Sequence, residues 1–435
     1  MLTRTPLLTA GPGRDRAALA AAGRLRDRLP APPVGATLTV GSALVLSTIP
    51  SLLPRPALTQ GLLTGSLVLL ALAVLALTRV IVTRRARVVS PGSARARWTV
   101  AAGTASAVAG TAWSAQLGLG QHAAGLAMAV PGPTYWLTAG GWALLVVGLG
   151  LTAAAGARRL GGITWRRSPL PLAAALLAGV TVTSAAAGPA DVLAPLRKDL
   201  AADHVMLTES PLGASRSFAR AGESPTPEAG AELAVDRLVA EGGLRRSAIV
   251  IALPTGSGWV NGEAVSAFEA QLDGDVAVVS AQYGDLPSWW SYLVDQEPAL
   301  RSAEALLDEV VERVGQLPPP DRPDVYVFGE SLGALAGQAA IAGATASSVC
   351  GVVWSGAPGG AVSGHPRERS LHNVDDPVYY LAADTALRQP DDWPTTWLPG
   401  LSYGTTVLDL AVSLAPDDGH GHTYGPEQDW TLPAC

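Results

Sequence analysis

Ser331 stands in Gly329-Glu330-Ser331-Leu332-Gly333, a G-x-S-x-G. A serine hydroxyl attacks a carbonyl only when a base takes its proton and an acid orients that base. The chain holds 48 glycines, so the pentapeptide alone decides little. Its neighbours decide more. Val325-Tyr326-Val327-Phe328 before it reads as an apolar strand, and Leu332 to Gly337 after it suits a helix packed closely on a sheet. Strand, sharp turn and helix form the context that lifts a serine hydroxyl clear of the backbone. The plainer alternative is a small buried turn.

The partners of such a serine are sought C-terminal to it. Asp376, in Asn373-Val374-Asp375-Asp376-Pro377-Val378, is the acid candidate, with Asp375 as its neighbouring alternative. Either one can also be a turn-capping carboxylate. Among six histidines, His420 and His422 follow these aspartates, in Asp418-Gly419-His420-Gly421-His422-Thr423-Tyr424. The general base is expected to be His422, with His420 as the alternative and the other ring ordering the loop. The H-x-H spacing also suits a metal, but no further His or Cys lies at ligand spacing, so no metal is expected. Oxyanion donors are expected from the N–H of Leu332 and from Thr255 or Gly256 in the loop Pro254-Thr255-Gly256-Ser257-Gly258. That loop can equally be a plain Gly-rich turn.

Elements that would position these residues are legible around them. Short apolar runs at 248–253, 276–280 and 325–328 alternate with helical stretches at 263–272 and about 298–316. In the second helix Leu306, Leu307, Val310, Val311 and Val314 fall at helical spacing. Strands alternating with helices predict a mainly parallel sheet with helices on both faces. A further strand is possible at 369–374. Cys350 reads as core packing; a disulfide with Cys435 is the alternative if the domain lies outside the cell.

Charge divides the chain. Before residue 191 there are 17 basic residues and two carboxylates; from Asp191 onward there are 13 and 34. No carboxylate occurs between Arg28 and Asp191. Five apolar stretches lie there, at 33–52, 58–78, 98–119, 134–156 and 169–187. Each approaches the ~20 residues a bilayer crossing needs. The expected organisation is a basic cytoplasmic tail over 1–32, a transmembrane helical region over 33–190 and an extracytoplasmic domain over 191–435. Orientation follows from arginine: the tail and the loops near 79–97 and 158–167 carry it, and the alternate loops carry only Arg55. No simple cleaved leader is recognisable. Arginine clusters flanking apolar runs do not suit nucleic acid. The spans lack Asp, Glu and Lys, which disfavours an ion pathway and favours an anchor or lipid-access platform.

The motifs "ALPTGSGWV", "QYGDLPSWWSYLVD", "FGESLG", "DDPV" and "GHGHTYG", in that order, resemble the actinobacterial membrane alpha/beta-hydrolase family. Its members join an N-terminal multi-helix membrane region to a C-terminal hydrolase domain. The resemblance runs motif by motif over most of 200–435 and is one of layout over 30–190. It implies an α/β-hydrolase fold after a five-helix transmembrane region, with Ser331, Asp376 and the His420/His422 pair as its site and no cofactor. Tyr283-Gly284-Asp285 departs from the Tyr-Ser-aromatic expected there. The expected activity is cleavage of an acyl ester, with an envelope lipid or another acylated molecule as candidate substrate. An acyltransferase using the same residues and a non-catalytic binding domain are the alternatives. Trp289, Trp290, Trp393, Trp397 and Tyr403 are expected either to line an apolar cleft or to pack in the core. Fewer than 20 residues separate Gly356 from the acid loop, too few for a large cap there.

Overall fold

The computed structural model describes residues 31–83, 93–126, 128, 130–132, 134–160, 200–342, 347–414 and 416–435. The chain divides into two compact units. In the first, the described residues form α1 (Val34–Ser47), α2 (Ala57–Thr83), α3 (Ala94–Gly125) and α4 (Tyr135–Leu160). Small residues let these helices approach. A Cβ on Gly61 would meet Ala139 O of α4 at 2.6 Å, and one on Gly41 would meet Thr104 of α3 at 2.1 Å.

Among the described residues, two helices are long and apolar enough to cross a bilayer, over Ala57–Arg79 and Tyr135–Gly156. The expected spans 33–52 and 98–119 do not meet that test. α1 has 14 residues, too few for a bilayer core. α3 has 32, but Ala, Gly, Ser and Thr dilute its apolar surface. The stretch 169–187 lies outside the described residues. Two such helices support membrane association weakly; a five-helix transmembrane region is not established.

The second unit is built on a six-stranded sheet. Its strands are β1 (Ser215–Ala219), β2 (Ala248–Leu253), β3 (Val276–Ala281), β4 (Asp324–Glu330), β5 (Gly351–Ser355) and β6 (Glu368–Leu371). They run in the order β1-β3-β2-β4-β5-β6, and every pairing is parallel. Alternate side chains feed two cores. Ile249, Ile251 and Leu253 pack with α5 (Pro227–Ala240), α8 (Glu297–Gly315) and α9 (Leu332–Ile341). Val250 and Ala252 pack with α6 (Gly262–Gln271) and with Trp430 and Leu432 of the C-terminal tail. Burial on both faces is why these strands read as unbroken apolar runs. The expected spacing on α8 holds: Leu306, Leu307, Val310 and Val314 are buried. A seven-residue helix, α7 (Ser288–Val294), follows the β3 loop.

The order places a reversal between β2 and β4. From β2 the chain turns to β3 on one side, and from β4 it turns to β5 on the other. In open parallel sheets the crevice at such a reversal, beyond the carboxyl ends of the strands, is where ligands bind. Pro254–Gly258 and Ser331 both follow these two strand ends.

The sheet unit also recruits Pro50–Arg55, between α1 and α2, and Leu119–Pro131, which takes in the C-terminal end of α3. Neither belongs to the expected domain 191–435. The reason lies in an insertion between Asp376 and His420, which includes α10 (Leu401–Asp409). Leu52 packs there with Tyr380 and Trp393, and Trp397 lies against them. Leu53 and Leu126 pack with Val412. Asp409 is fully buried and accepts the Leu52 N–H at 3.0 Å and Arg55 Nε at 3.1 Å. His122 Nε2 meets Leu52 O at 2.6 Å. Trp393 is thus a core side chain of the insertion, and Trp397 packs against that core while partly exposed.

Truncating one partner of a buried ion pair leaves the other charge unpaired, at a cost of about 3–5 kcal/mol. Asp409→Ala is therefore expected to destabilise the full-length protein on that scale, measured by thermal unfolding in detergent. A fragment beginning at residue 200 should unfold at a lower temperature than the full chain, because Leu52 and Leu53 no longer cover the insertion.

Candidate active site

Ser331 joins β4 to α9 with φ 55° and ψ −121°. A non-glycine residue rarely adopts this region, and holding one there costs ~1–3 kcal/mol. The turn closes because its neighbours lack side chains. A Cβ on Gly329 would meet Gly333 O at 2.5 Å, and a Cβ on Gly333 would meet Leu253 O at 2.3 Å. The Ser331 N–H donates to Ser355 O at 2.8 Å, which pins the elbow to β5. Ser331 Oγ lies 3.4 Å from Ser288 Oγ, at the start of α7.

His422 and Asp376 meet in the interior. His422 Nδ1 lies 2.8 Å from Asp376 Oδ2, and Asp376 has no exposed surface. The Asp376 carboxylate also accepts the Tyr424 hydroxyl at 2.5 Å and the Val378 N–H at 2.8 Å. Three donors fix its orientation, so the imidazole is held by one nitrogen. The other, His422 Nε2, is buried and has no hydrogen-bond partner among the described residues. The ring rests on Gly356, where a Cβ would come within 2.6 Å of Cε1. Burial lowers the imidazole pKa, but the Asp376 charge and hydrogen bond and the Glu330 charge outweigh it, and the net shift is upward.

His420 pairs with the other aspartate. Its Nδ1 lies 3.2 Å from Asp375 Oδ2, and Asp375 Oδ1 accepts the Gly421 N–H at 2.9 Å. The His420 side chain is 34% exposed, against 9% for His422. This outer pair fastens the loop, and Asn373 adds to it by donating to Gly421 O and Thr423 O. The doubled Asp-Asp and His-x-His sequences therefore form two parallel pairs, one wholly buried and one whose histidine is partly exposed. Asp324, Cys350 and Cys435 also lie close together, but the two thiols are joined in a disulfide and cannot ligate as thiolates.

The oxyanion candidates separate as well. The Thr255 N–H donates to Trp259 O at 2.9 Å inside its own turn. The N–H groups of Gly256 and Leu332 donate to nothing among the described residues; Leu332 opens α9 and has no acceptor one turn back. Gly256 faces Leu286 to Ser288 so closely that a Cβ would meet Leu286 O at 2.4 Å.

Four residues here were not singled out by the sequence reading. Ser288 was seen only as part of an aromatic loop. Tyr424 was read as a loop aromatic, not as a donor to the acid. Asn261 caps α6 through Oδ1, while its Nδ2 donates to Glu330 Oε2 at 2.9 Å and Tyr424 O at 3.0 Å. Glu330 is given no role by the pentapeptide pattern, although a carboxylate at the end of an apolar strand is a visible signal. Burial pushes its carboxyl up to about 7. A separate 210 Å³ cavity is lined by Gly360, Tyr379, Asp384, Arg388 and Asp392. It contains neither Ser331 nor His422 and is polar, so it is not assigned to the reacting group.

Residues 216–366 match the model of an alpha/beta-hydrolase family. With the six-stranded parallel sheet, this makes the C-terminal part of the chain an alpha/beta-hydrolase domain. The match takes in the Pro254–Gly258 loop and the elbow and ends before Asp376 and His422, which rest on geometry alone. It does not extend to the N-terminal helices. A comparison with curated proteins found no match.

Gly333→Ala tests the close packing at the elbow. It should destabilise the protein by about 1–3 kcal/mol through overpacking against Leu253 O, measured as a lowered midpoint of thermal unfolding.

Proposed function

We propose that the alpha/beta-hydrolase domain is a serine hydrolase that cleaves acyl esters, with Ser331 as nucleophile, His422 as general base and Asp376 as the acid that orients it. The observation that carries this reading is the buried Asp376–His422 pair with a free Nε2, its ring resting on Gly356, next to the Ser355 carbonyl that holds the N–H of a serine at positive φ. In the reaction, Ser331 Oγ attacks the ester carbonyl as its proton passes to His422 Nε2. Asp376 stabilises the imidazolium that forms. The N–H groups of Leu332 and Gly256 receive the developing oxyanion. The imidazolium protonates the leaving alkoxide, and water then attacks the acyl-enzyme by the same route. His420, on the outer pair, fastens the loop.

An apolar acyl group is the favoured substrate portion. α7 begins at Ser288 beside the nucleophile and ends in Leu293 and Val294, both more than 60% exposed. Placement outside the cytoplasmic membrane is part of the proposal. Pro50–Arg55 and Leu119–Pro131 belong to the same compact unit as the hydrolase domain, so they share its side of a membrane. They are the arginine-poor loops, which face outward when the arginine-rich ones face in. The Cys350–Cys435 disulfide fits an oxidising compartment. An acyl ester of an envelope lipid meets both conditions.

The test is labelling with a fluorophosphonate that does not cross the membrane, on intact cells making the full-length protein. Wild type should label and Ser331→Ala should not; labelling only after lysis would place the domain inside. His422→Ala should lower kcat by roughly 10⁴-fold or more, and His420→Ala by far less. Because the His422 pKa is raised and the base must be neutral, kcat/KM should fall as pH drops, with its acid midpoint above the ordinary histidine value of 6.5.

A further inference from the structure

We propose that Glu330 is a positioning residue for His422: a buried carboxyl group that holds its own proton while the base is neutral and shares the imidazolium charge with Asp376 once the base is protonated. The proposal rests on the serine hydrolase reading and deepens it.

The placement is geometric. Glu330 closes β4 and pairs in register with Ser355 on β5. The next residue, Gly356, carries the His422 ring. Glu330 is 5% exposed, and its Oε2 accepts from Asn261 Nδ2. The same amide donates to Tyr424 O, two residues beyond His422. One side chain thus joins the end of the Pro254–Gly258 loop, the elbow and the base loop.

Each neighbouring segment contributes a group to the field at His422. The acid loop supplies Asp376, the base loop supplies the Tyr424 phenol, β4 supplies Glu330 and the start of α6 supplies the neutral Asn261. Asp376 and Glu330 both act electrostatically on His422, and two carboxylates acting on one buried ring repel each other when both are ionised. Burial favours the protonated form of Glu330, Asp376 adds to that preference, and the His422 cation opposes it. When His422 takes the proton from Ser331, the balance at Glu330 shifts toward the carboxylate, and the Glu330 proton passes to solvent water, to be taken back when the imidazolium gives up its own. Its charge then adds to that of Asp376 in holding the imidazolium.

The variant Glu330→Gln keeps an oxygen for Asn261 and cannot ionise. Rates of fluorophosphonate labelling of the full-length protein in detergent would be followed across pH for wild type, Glu330→Gln and Glu330→Asp. The acid limb for Glu330→Gln should move to lower pH and the plateau should fall roughly tenfold. Glu330→Asp should move the limb back toward wild type. A lower plateau with an unmoved limb would mean a structural role and overturn the proposal. An independent reading is the infrared carboxylic-acid stretch near neutral pH. It should be present in wild type and missing in Glu330→Gln; equal spectra overturn the proposal whatever the rates. Wild type that fails to label at any pH overturns the serine hydrolase reading itself, and the infrared band then reports only where the proton resides.

Discussion

The strained turn at Ser331 is the constraint on which the hydrolase domain is organised. A side chain at φ 55° persists only where its surroundings over-determine it. Here β4 is held on both sides by parallel neighbours, and α9 presses on β2 through Gly333. Gly337 continues that contact against Trp354, a fully buried ring. The elbow is therefore anchored in the centre of the sheet, where local opening is least favoured. The reversal of strand order falls at that same point, which is where open parallel sheets generally bind ligands.

The base loop has the opposite character. Residues 420–424 lie in no helix or strand. Their position depends on anchors from outside: Asn373 on one side, Asp375 beneath Gly421, and the C-terminal tail behind. Gln271 brackets that tail by accepting the Leu432 N–H and donating to Leu432 O. The Cys350–Cys435 disulfide joins its end to the start of β5. A loop tied at so many points can hold an imidazole in place without regular structure of its own. Its glycines are needed for this course, since a Cβ on Gly421 would meet Ser413 O at 2.6 Å.

How much of this was legible in the sequence follows from the range of the forces involved. β2, β3 and β4 announce themselves because burial on both faces demands continuous apolar runs. α8 does so because one buried face imposes its period. β1 is an edge strand containing Ser215, Arg216 and Ser217, so its polarity hid it. The insertion carrying α10 escaped notice because its core is completed by Leu52 and Leu53, more than 300 residues earlier. No local pattern reports a partner at that distance. The elbow motif was visible, yet Glu330 within it was passed over, because its meaning depends on Asn261 and on the register with β5.

The choice between His420 and His422 shows the same limit at the smallest scale. Spacing gives both residues an equal claim, and the structure gives both a carboxylate. What separates them is water. Asp375 is buried, but the His420 ring is a third exposed, so solvent reaches that end of the contact, screens the attraction and competes for the hydrogen bond. Asp376 and His422 are both buried and screening is weak, so the same two-atom contact holds the ring more firmly. A free nitrogen in that setting has an unmet need for a partner, and a reacting hydroxyl can meet it. The distinction between the outer pair and the pair proposed to react therefore lies in burial, which the fold confers through Gly356 and the tail and which residue type and spacing alone do not encode.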